Sequence, residues 1–425
     1  GELVEDLSFD LVTLFDEKEL IKCIEIYNEK EKFINAYEPN LSGSILIKYL
    51  IRKYKKPLLN LDNNINSNIK LIKNELYKNL NLYKYLPYLL RKRFNKKYII
   101  IESDDWGMSQ ITSDRGIEFL KKKYGKDKFT RWTTDALETC EDLHLLFDVL
   151  NKYKSSFIKP PVITANFITH NIDYNAGSSL SFVPLSNFLN NSLRELYNKG
   201  IKEGILCPQL HGYCHFNVLE LNKYFISKEG KELFNHGILT GKNTIKGYSN
   251  MFQSEFSQYH STIMNNFDLS LNEFQNFFHY KPISLIPPHF ILDKKLLPML
   301  IEHGILAIQA SSRLVNSNNK RYRKIFFKSN QGILWIPRNA RLDPHPDYNY
   351  YSDQCISAIS KAFADRIPAI IDFHRVNISG RFNSQYRDKS LDELDKVLNK
   401  VKNKWPDTIF ITTPELIQLC QTTII

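Results

Sequence analysis

The 425-residue sequence predicts an α/β protein built on a parallel sheet or barrel. From Lys96 onward, short β-branched or apolar runs alternate with segments of helical spacing, as repeated strand–helix units require. Three of those runs end in chemistry-bearing clusters: Glu102-Ser103-Asp104-Asp105-Trp106-Gly107, His211-Gly212-Tyr213-Cys214-His215 and Asp372-Phe373-His374-Arg375. Parallel barrels gather their sites at the C-terminal ends of strands, so that placement is the expected one. The length suits a barrel of about 250 to 330 residues plus an extension.

Residues 1–95 read as that extension, a helical N-terminal segment. Leu20, Ile21, Ile24 and Tyr27 have helical spacing within 18–33, and 44–54 and 69–90 continue the theme around an Asn-rich loop at 58–68. It carries no chemistry, and an oligomer contact through its helices, a partner dock and simple packing stay open. Residues 96–425 form the main domain. Strands are expected at 98–103, 162–168, 205–210, 283–286, 305–309, 333–336, 369–373 and 408–412. Helices are expected at 113–123, 138–153, 185–199, 291–303, 352–365 and 390–403, with 218–280 a largely helical insertion after the third strand. Gly200 stands where a glycine ends a helix, and Gly304 and Pro414 stand at breaks.

Composition removes several function classes. The net charge of +11 comes mostly from Lys that rides with Asn and Ile throughout the chain. The densest basic run, Arg91 to Lys97, has no aromatic interleaving beyond Phe94 and no nucleic-acid module, so no nucleic-acid partner is expected. No apolar run approaches the ~18 residues of a membrane span; the longest candidate, Ser44 to Ile51, is broken by Lys48. A cytoplasmic location is the expectation. The first residue is Gly, so a preceding targeting segment is left open. Cysteines 23, 140, 207, 214, 355 and 420 form no Cys-x-x-Cys pattern, and reduced thiols are expected.

The three clusters supply the parts of a metal-dependent deacylase. Adjacent Asp104 and Asp105 would point to opposite sides of a continuing strand, so both serve one site only if the chain bends, with Gly107 giving the freedom. If a cation claims one carboxylate, the other can act as a base. Taken alone, such a pair would more often cap the next helix, near Ser109 to Ser113. His211 and His215, four apart, share a helix face or converge on a tight loop. Phe216 and Asn217 would stand behind them. His374 lies two residues after Asp372, on one strand face. A carboxylate beside an imidazole raises its pKa and orients its ring, which suits a general acid. One carboxylate and two imidazoles hold a divalent cation; a second carboxylate and a third imidazole move protons.

On these residues the chain resembles the polysaccharide deacetylase (NodB-homology) family over roughly 96–425. The resemblance implies a distorted (β/α) barrel of seven or eight strands. It implies Asp104 as base, Asp105, His211 and His215 as metal ligands, and His374 as acid. Pro287-Pro288-His289 is similar to the family's Pro-Pro-aromatic motif, so the His289 main-chain N–H would help hold the oxyanion. Glu102 to Gly107, Arg338-Asn339, His374 to Asn377 and Thr412 to Leu416 resemble a subgroup associated with bacterial surface polysaccharides. Two family features are missing. Ile286 stands where the family has an Arg that orients the base, with Arg338, Arg341 or Arg375 as substitutes. The Asp-Trp motif that tunes the acid is not found, and Asp372 is the candidate in its place.

The implied reaction is metal-assisted hydrolysis of an N-acetyl group, with an O-acetyl group second, on a sugar of a surface polysaccharide or its precursor. Zn2+ is the expected ion, given a two-His, one-carboxylate set with open positions. Trp106, Tyr213, Asn217, Arg338 and Arg375 are the expected substrate contacts, and Trp132 is a further aromatic that would suit a sugar ring, with core packing an equal alternative for each aromatic. Two alternatives come from other classes. One is a carbohydrate-binding or assembly protein with weak or no catalysis, suggested by the missing Arg. The other is a glycoside hydrolase with two carboxylates about 5 to 10 Å apart.

Overall fold

The computed structural model describes residues 91–125, 134–176, 180–239, 257–311, 325–330, 332–345 and 349–421. Nearly all of the expected helical extension (1–90 of it), the 240–256 part of the expected insertion, and Trp132 therefore lie outside the described residues. Of the described residues, those from Lys92 onward, without 325–330, fall in one compact unit.

Its centre is β1, Tyr98–Trp106, a nine-residue strand buried from Ile99 to its end. Burial on both faces is what a parallel strand covered by helices requires. Besides a two-residue strand at Ser329–Asn330, the other strands are β2 (Ile163–Ile168), β3 (His170–Ile172), β4 (Phe182–Pro184), β5 (Leu206–Gly212), β6 (Ser284–Leu285), β7 (Ala307–Ala310), β8 (Ile333–Pro337), β9 (Ala340–Arg341), β10 (Ala369–Asp372) and β11 (Ile409–Phe410). Eight of them pair in the order β9-β10-β1-β2-β5-β6-β7-β8, with β11 also beside β1, while β3 and β4 form a separate hairpin. Each of those main-sheet pairings is parallel.

The two ends of that order are one piece of chain. Arg338 donates its N–H to Ala310 at the end of β7, and Asn339 donates its own to Ile370 on β10. Residues 333–341 thus run along β7, bend, and continue along β10, which closes the sheet into a distorted barrel. The Asn339 side chain splices the bend: its amide donates to the Pro368 carbonyl and accepts from the Ile370 N–H, both at 2.8 Å. The strands number eight by pairing, or seven if the bent stretch counts once.

Residues from alternate positions on the strands bond to one another inside the barrel, as the period of two demands. Asn166 on β2 and Gln309 on β7 exchange amide hydrogen bonds of 2.8 Å. Gln309 donates to Ser284, and Ser284 to Gln209. Intervening residues such as Ile101, Ala165, Phe167, Leu210 and Ile308 are buried apolar groups. Phe167 meets Tyr197 and Phe278 edge-on in the helical layer. The interior is polar and the wall outside it is oily.

Helices of that layer are α1 (Asp114–Tyr124), α2 (Cys140–Asn151), α3 (Leu185–Phe188), α4 (Asn191–Lys202), α5 (Val218–Ile226), α6 (Lys228–Phe234), α7 (Ser257–Phe278), α8 (Leu297–Glu302), α9 (Ser352–Ala364), α10 (Ser384–Lys404) and α11 (Thr413–Gln421). Side-chain caps decide several starts. Ser113 caps α1, Thr139 and Asp142 form a capping box on α2, and Asn383 caps α10, which begins six residues before its expected start. The expected 185–199 helix is two helices, because Asn190 caps a fresh start at α4. The expected 291–303 helix is a 3-10 turn at Lys294–Leu296 followed by α8. Gly200 does not end its helix. The helix runs on to Lys202 and Gly204, at φ +71°, follows it. Gly200 is instead a close-approach position, where a Cβ would lie 2.6 Å from the Phe147 ring. Among the described residues no helix is long and apolar enough to cross a membrane.

Candidate active site

The Asp104–Asp105 pair owes its geometry to a bulge. The β1–β2 register shifts between Ser103 and Trp106, and Asp105 itself takes φ +66°. Asp is among the few side chains that tolerate that region. The bend expected at Gly107 therefore begins two residues earlier, with Gly107 at φ +73° completing it. The pair does not cap α1, since Ser113 accepts the Gly116 N–H there.

The bulge sends the two carboxylates to different partners. Asp105 Oδ1 lies 3.2 Å from His211 Nε2 and 3.4 Å from His215 Nε2. The His211 Nδ1–H donates to the Ile286 carbonyl at 2.8 Å, which leaves Nε2 as the nitrogen facing Asp105. Burial alone would raise the Asp105 carboxyl, but His211, His215 and His374 overcome it and hold it far below the carboxylate range. For His211, burial pulls the pKa down and the two aspartates outweigh it, leaving it raised; His215 is pushed well down, by burial and by His289.

Asp104 turns to Arg338. Its Oδ1 accepts from Nη2 at 2.5 Å and its Oδ2 from Nη1 at 2.7 Å, a bidentate pair, while Asn166 donates to Oδ1 at 3.0 Å. Arg338 also donates to Glu102 at 2.9 Å and Asp372 at 2.6 Å. Burial would raise Asp104, yet Arg338, His211 and His374 keep it below its ordinary value. Glu102, wholly buried and bonded by Thr413, is raised because burial outweighs Arg338. Of the three arginines considered for the missing Arg, Arg338 reaches Asp104. Arg341 reaches Asp343, and Arg375 reaches the Asp105 main chain.

His374 lies just past the end of β10, at the start of the 3-10 turn Arg375–Ile378. Its Nδ1 is 3.6 Å from Asp372 Oδ1 and 3.4 Å from Asp343 Oδ2. Asp343 was not singled out from the sequence. It is fully buried and pinned by Arg341 Nε at 2.6 Å and the Asn377 amide at 2.8 Å, while Asp372 is held chiefly by Arg338. Asp343 is thus the closer carboxylate to the imidazole. The clue was the alternation Arg341-Leu342-Asp343, charged residues two apart around a core leucine.

Two groups of side chains among the described residues have the spacing of a cation site: Asp105, His211, His215 and Asp104, Asp372, His374. The first fits. Ligands about 2.0 to 2.2 Å from a tetrahedral zinc lie roughly 3.2 to 3.6 Å apart, and the two imidazole nitrogens stand 3.2 and 3.4 Å from Asp105 Oδ1. The His211 tautomer is fixed by a backbone carbonyl, as ligating histidines ordinarily are. The second does not fit, because the Arg338 guanidinium already occupies both Asp104 oxygens and Asp372.

The Pro287-Pro288-His289 segment reaches the same place. His289 has φ +54°, and its ring stands edge-on to His215 at 4.5 Å. Ile286, just before it, supplies the carbonyl that holds His211.

All five expected substrate contacts are buried. Trp106 is fully buried: the bulge turns it away from the interior, where its N–H donates to Ser103 and it packs near Phe167 and Tyr197. Tyr213 is buried, stacked on His170 and edge-on to Phe182. Asn217 caps α5, accepting from Leu219 and Glu220. Arg338 lies under the site, and Arg375 is wholly enclosed behind Asp105.

No family model matches the chain, and no curated protein matches it. Among solved structures, the chain is similar to 4-alpha-glucanotransferase from Thermococcus litoralis, at 10% identity and TM-score 0.41, over 76% of this chain and 40% of that one. It is similar to the Bc1960 peptidoglycan N-acetylglucosamine deacetylase at 12% identity and TM-score 0.37, over 76% and 90%. A third is BA3943, a CE4 family pseudoenzyme from Bacillus anthracis, at 10% identity and TM-score 0.36, over 76% and 66%. The chain spans less than half the length of the glucanotransferase. Its structural neighbours thus include deacetylases and a pseudoenzyme of the CE4 family, at low identity.

Proposed function

We propose that the protein is a metal-dependent deacylase that removes an N-acetyl group, with an O-acetyl group second, from a sugar of a polysaccharide or its precursor. One observation carries the reading: two successive carboxylates are split between two environments, Asp105 with a pair of imidazoles and Asp104 with a guanidinium. A divalent cation, with zinc the expected ion, would be held by Asp105, His211 and His215, and would supply Lewis acidity toward the acyl carbonyl and the attacking water.

The chain's own groups then move the protons. Asp104, kept ionised by Arg338, takes a proton from water as the C–O bond forms. The His289 main-chain N–H is the proposed donor to the oxygen that becomes negative. Protonated His374, steadied by Asp343, gives its proton to the nitrogen as the C–N bond breaks. Acetate and an amino sugar leave.

Elemental analysis of the purified protein tests the reading. About one zinc-like ion per chain, lost in His211→Ala and in His215→Ala, would support the ligand set, and acetate release from acetylated sugars would then be measured. Normal metal content in either variant would overturn the assignment. A chain that stays metal-free after reconstitution would favour a carbohydrate-binding or assembly role on the same barrel.

A further inference from the structure

Arg375 follows the proposed proton donor, yet its side chain is wholly buried and points behind the proposed metal ligand. Its Nε donates to the Asp105 carbonyl at 2.9 Å and its Nη1 to the Ala136 carbonyl. Its Nη2 faces Asp135 at 2.7 Å, and Glu138 lies 3.4 Å from Nε. Glu138 in turn accepts from the Tyr197 hydroxyl and from the Gly107 N–H at 3.4 Å. The guanidinium therefore sits between the left-handed turn at Asp105–Gly107 and the segment at 135–138.

We propose that Arg375 is a positioning residue that fixes the Asp105 carboxylate relative to His374 by gripping the main chain of the bulge. The inference rests on the metal-site reading above and adds a device to it. Asp105 holds a backbone conformation that L residues rarely adopt, and such a conformation persists only where its surroundings over-determine it. Its carbonyl accepts from Met108 N–H at 3.3 Å and from Arg375, so the guanidinium provides the shorter of the two bonds. On the other side, Arg375 opens a buried 3-10 turn in which the Asn377 N–H donates to the His374 carbonyl at 3.0 Å. The Phe373 N–H donates to the Glu102 carbonyl on β1. The imidazole and the guanidinium thus spring from adjacent α-carbons on one rigid turn, and a shift of one side is passed to the other. A planar fork can grip two carbonyls at once, whereas an ammonium offers a single point of charge.

A purely structural arginine and a positioning one differ in what they do to a bound ion. Co2+ titration of the full chain reads both affinity and ligand geometry, through the visible absorption of the ion. Arg375→Lys is expected to weaken Co2+ binding by about 10- to 100-fold, the range for groups that support a ligand, and to change the absorption spectrum. Binding within twofold of the parent with an unchanged spectrum, even at reduced thermal stability, would overturn the proposal. If Arg375→Lys does not fold, Asp135→Asn, which loosens Nη2, is judged by the same two readouts. An unmodified chain that binds no Co2+ would sink the metal reading itself, and this proposal with it.

Discussion

Two buried arginines flank the Asp104–Asp105 pair, and they do opposite things. Arg338 faces three carboxylate side chains, Glu102, Asp104 and Asp372, and so works on charge. Arg375 faces two backbone carbonyls, at Asp105 and Ala136, with Asp135 and Glu138 balancing it, and so works on shape. One cation keeps Asp104 below its ordinary pKa where burial alone would raise it. The other keeps a turn in a conformation that it would otherwise leave. The contrast teaches that burying an arginine has no single meaning: its acceptors decide its role.

The largest break in the comparison comes from the carboxylate that Arg338 serves. Asp104→Asn keeps the shape and removes the proposed base, and turnover is expected to fall by about 10²- to 10⁴-fold while metal content stays. Loss of the metal as well would mean that Asp104 belongs to the ligand set. Arg338→Met comes next. It leaves three carboxylates around an apolar side chain, and removing one partner of a buried ion pair typically costs about 3–5 kcal/mol. Urea unfolding measures it, and a loss under 1 kcal/mol would mean that the carboxylates take up protons without penalty.

Acid sharpens the distinction between the proton-moving half and the ligand half. His211 must give up the proton on Nε2 to bind an ion, and its pKa is raised above 6.5 despite burial. Metal affinity should therefore fall as pH drops through neutrality, by up to about tenfold per pH unit for the one proton displaced. The metal-free fold responds with the opposite sign. The stability contributed by protonated His211 is present at low pH and is lost as pH rises through its folded pKa. Isothermal titrations between pH 8 and 6 that give a flat affinity would remove His211 from the ligand set. The smallest effect is expected at Trp106→Phe, which loses one hydrogen bond to Ser103, about 1 kcal/mol, with KM unchanged. A raised KM would restore the tryptophan as a substrate contact.

Much of this was legible along the chain because strand signals are local. The β-branched or apolar runs at 98–101, 205–210 and 369–371 became β1, β5 and β10, and the Asp and His clusters fell at their ends. The rest depends on which distant segments meet. Nothing near Asp104 announces that its cation comes from residue 338, on the stretch that closes the barrel. The bend is expected at Gly107, whereas it starts at Asp105. Strict alternation would put residues 102, 104 and 106 on one face, which would leave Trp106 free to meet a sugar. One left-handed residue at 105 moved it to the other side of the sheet. Asp343 was hidden because its value lies in Asn377 and Arg341, which orient it, and in His374, which it orients.

The amide exchange between Asn166 and Gln309 has one more consequence. β2 and β7 are not neighbours; β5 and β6 stand between them around the wall. Two side chains joined head to head across the interior act as a gauge block that sets the bore, and Asn166 also touches Asp104. Widening or narrowing the tube would drag Asp104 along with it. Neither amide can be exchanged alone without stranding the other's polar groups, so replacements at these two positions should be tolerated in matched pairs.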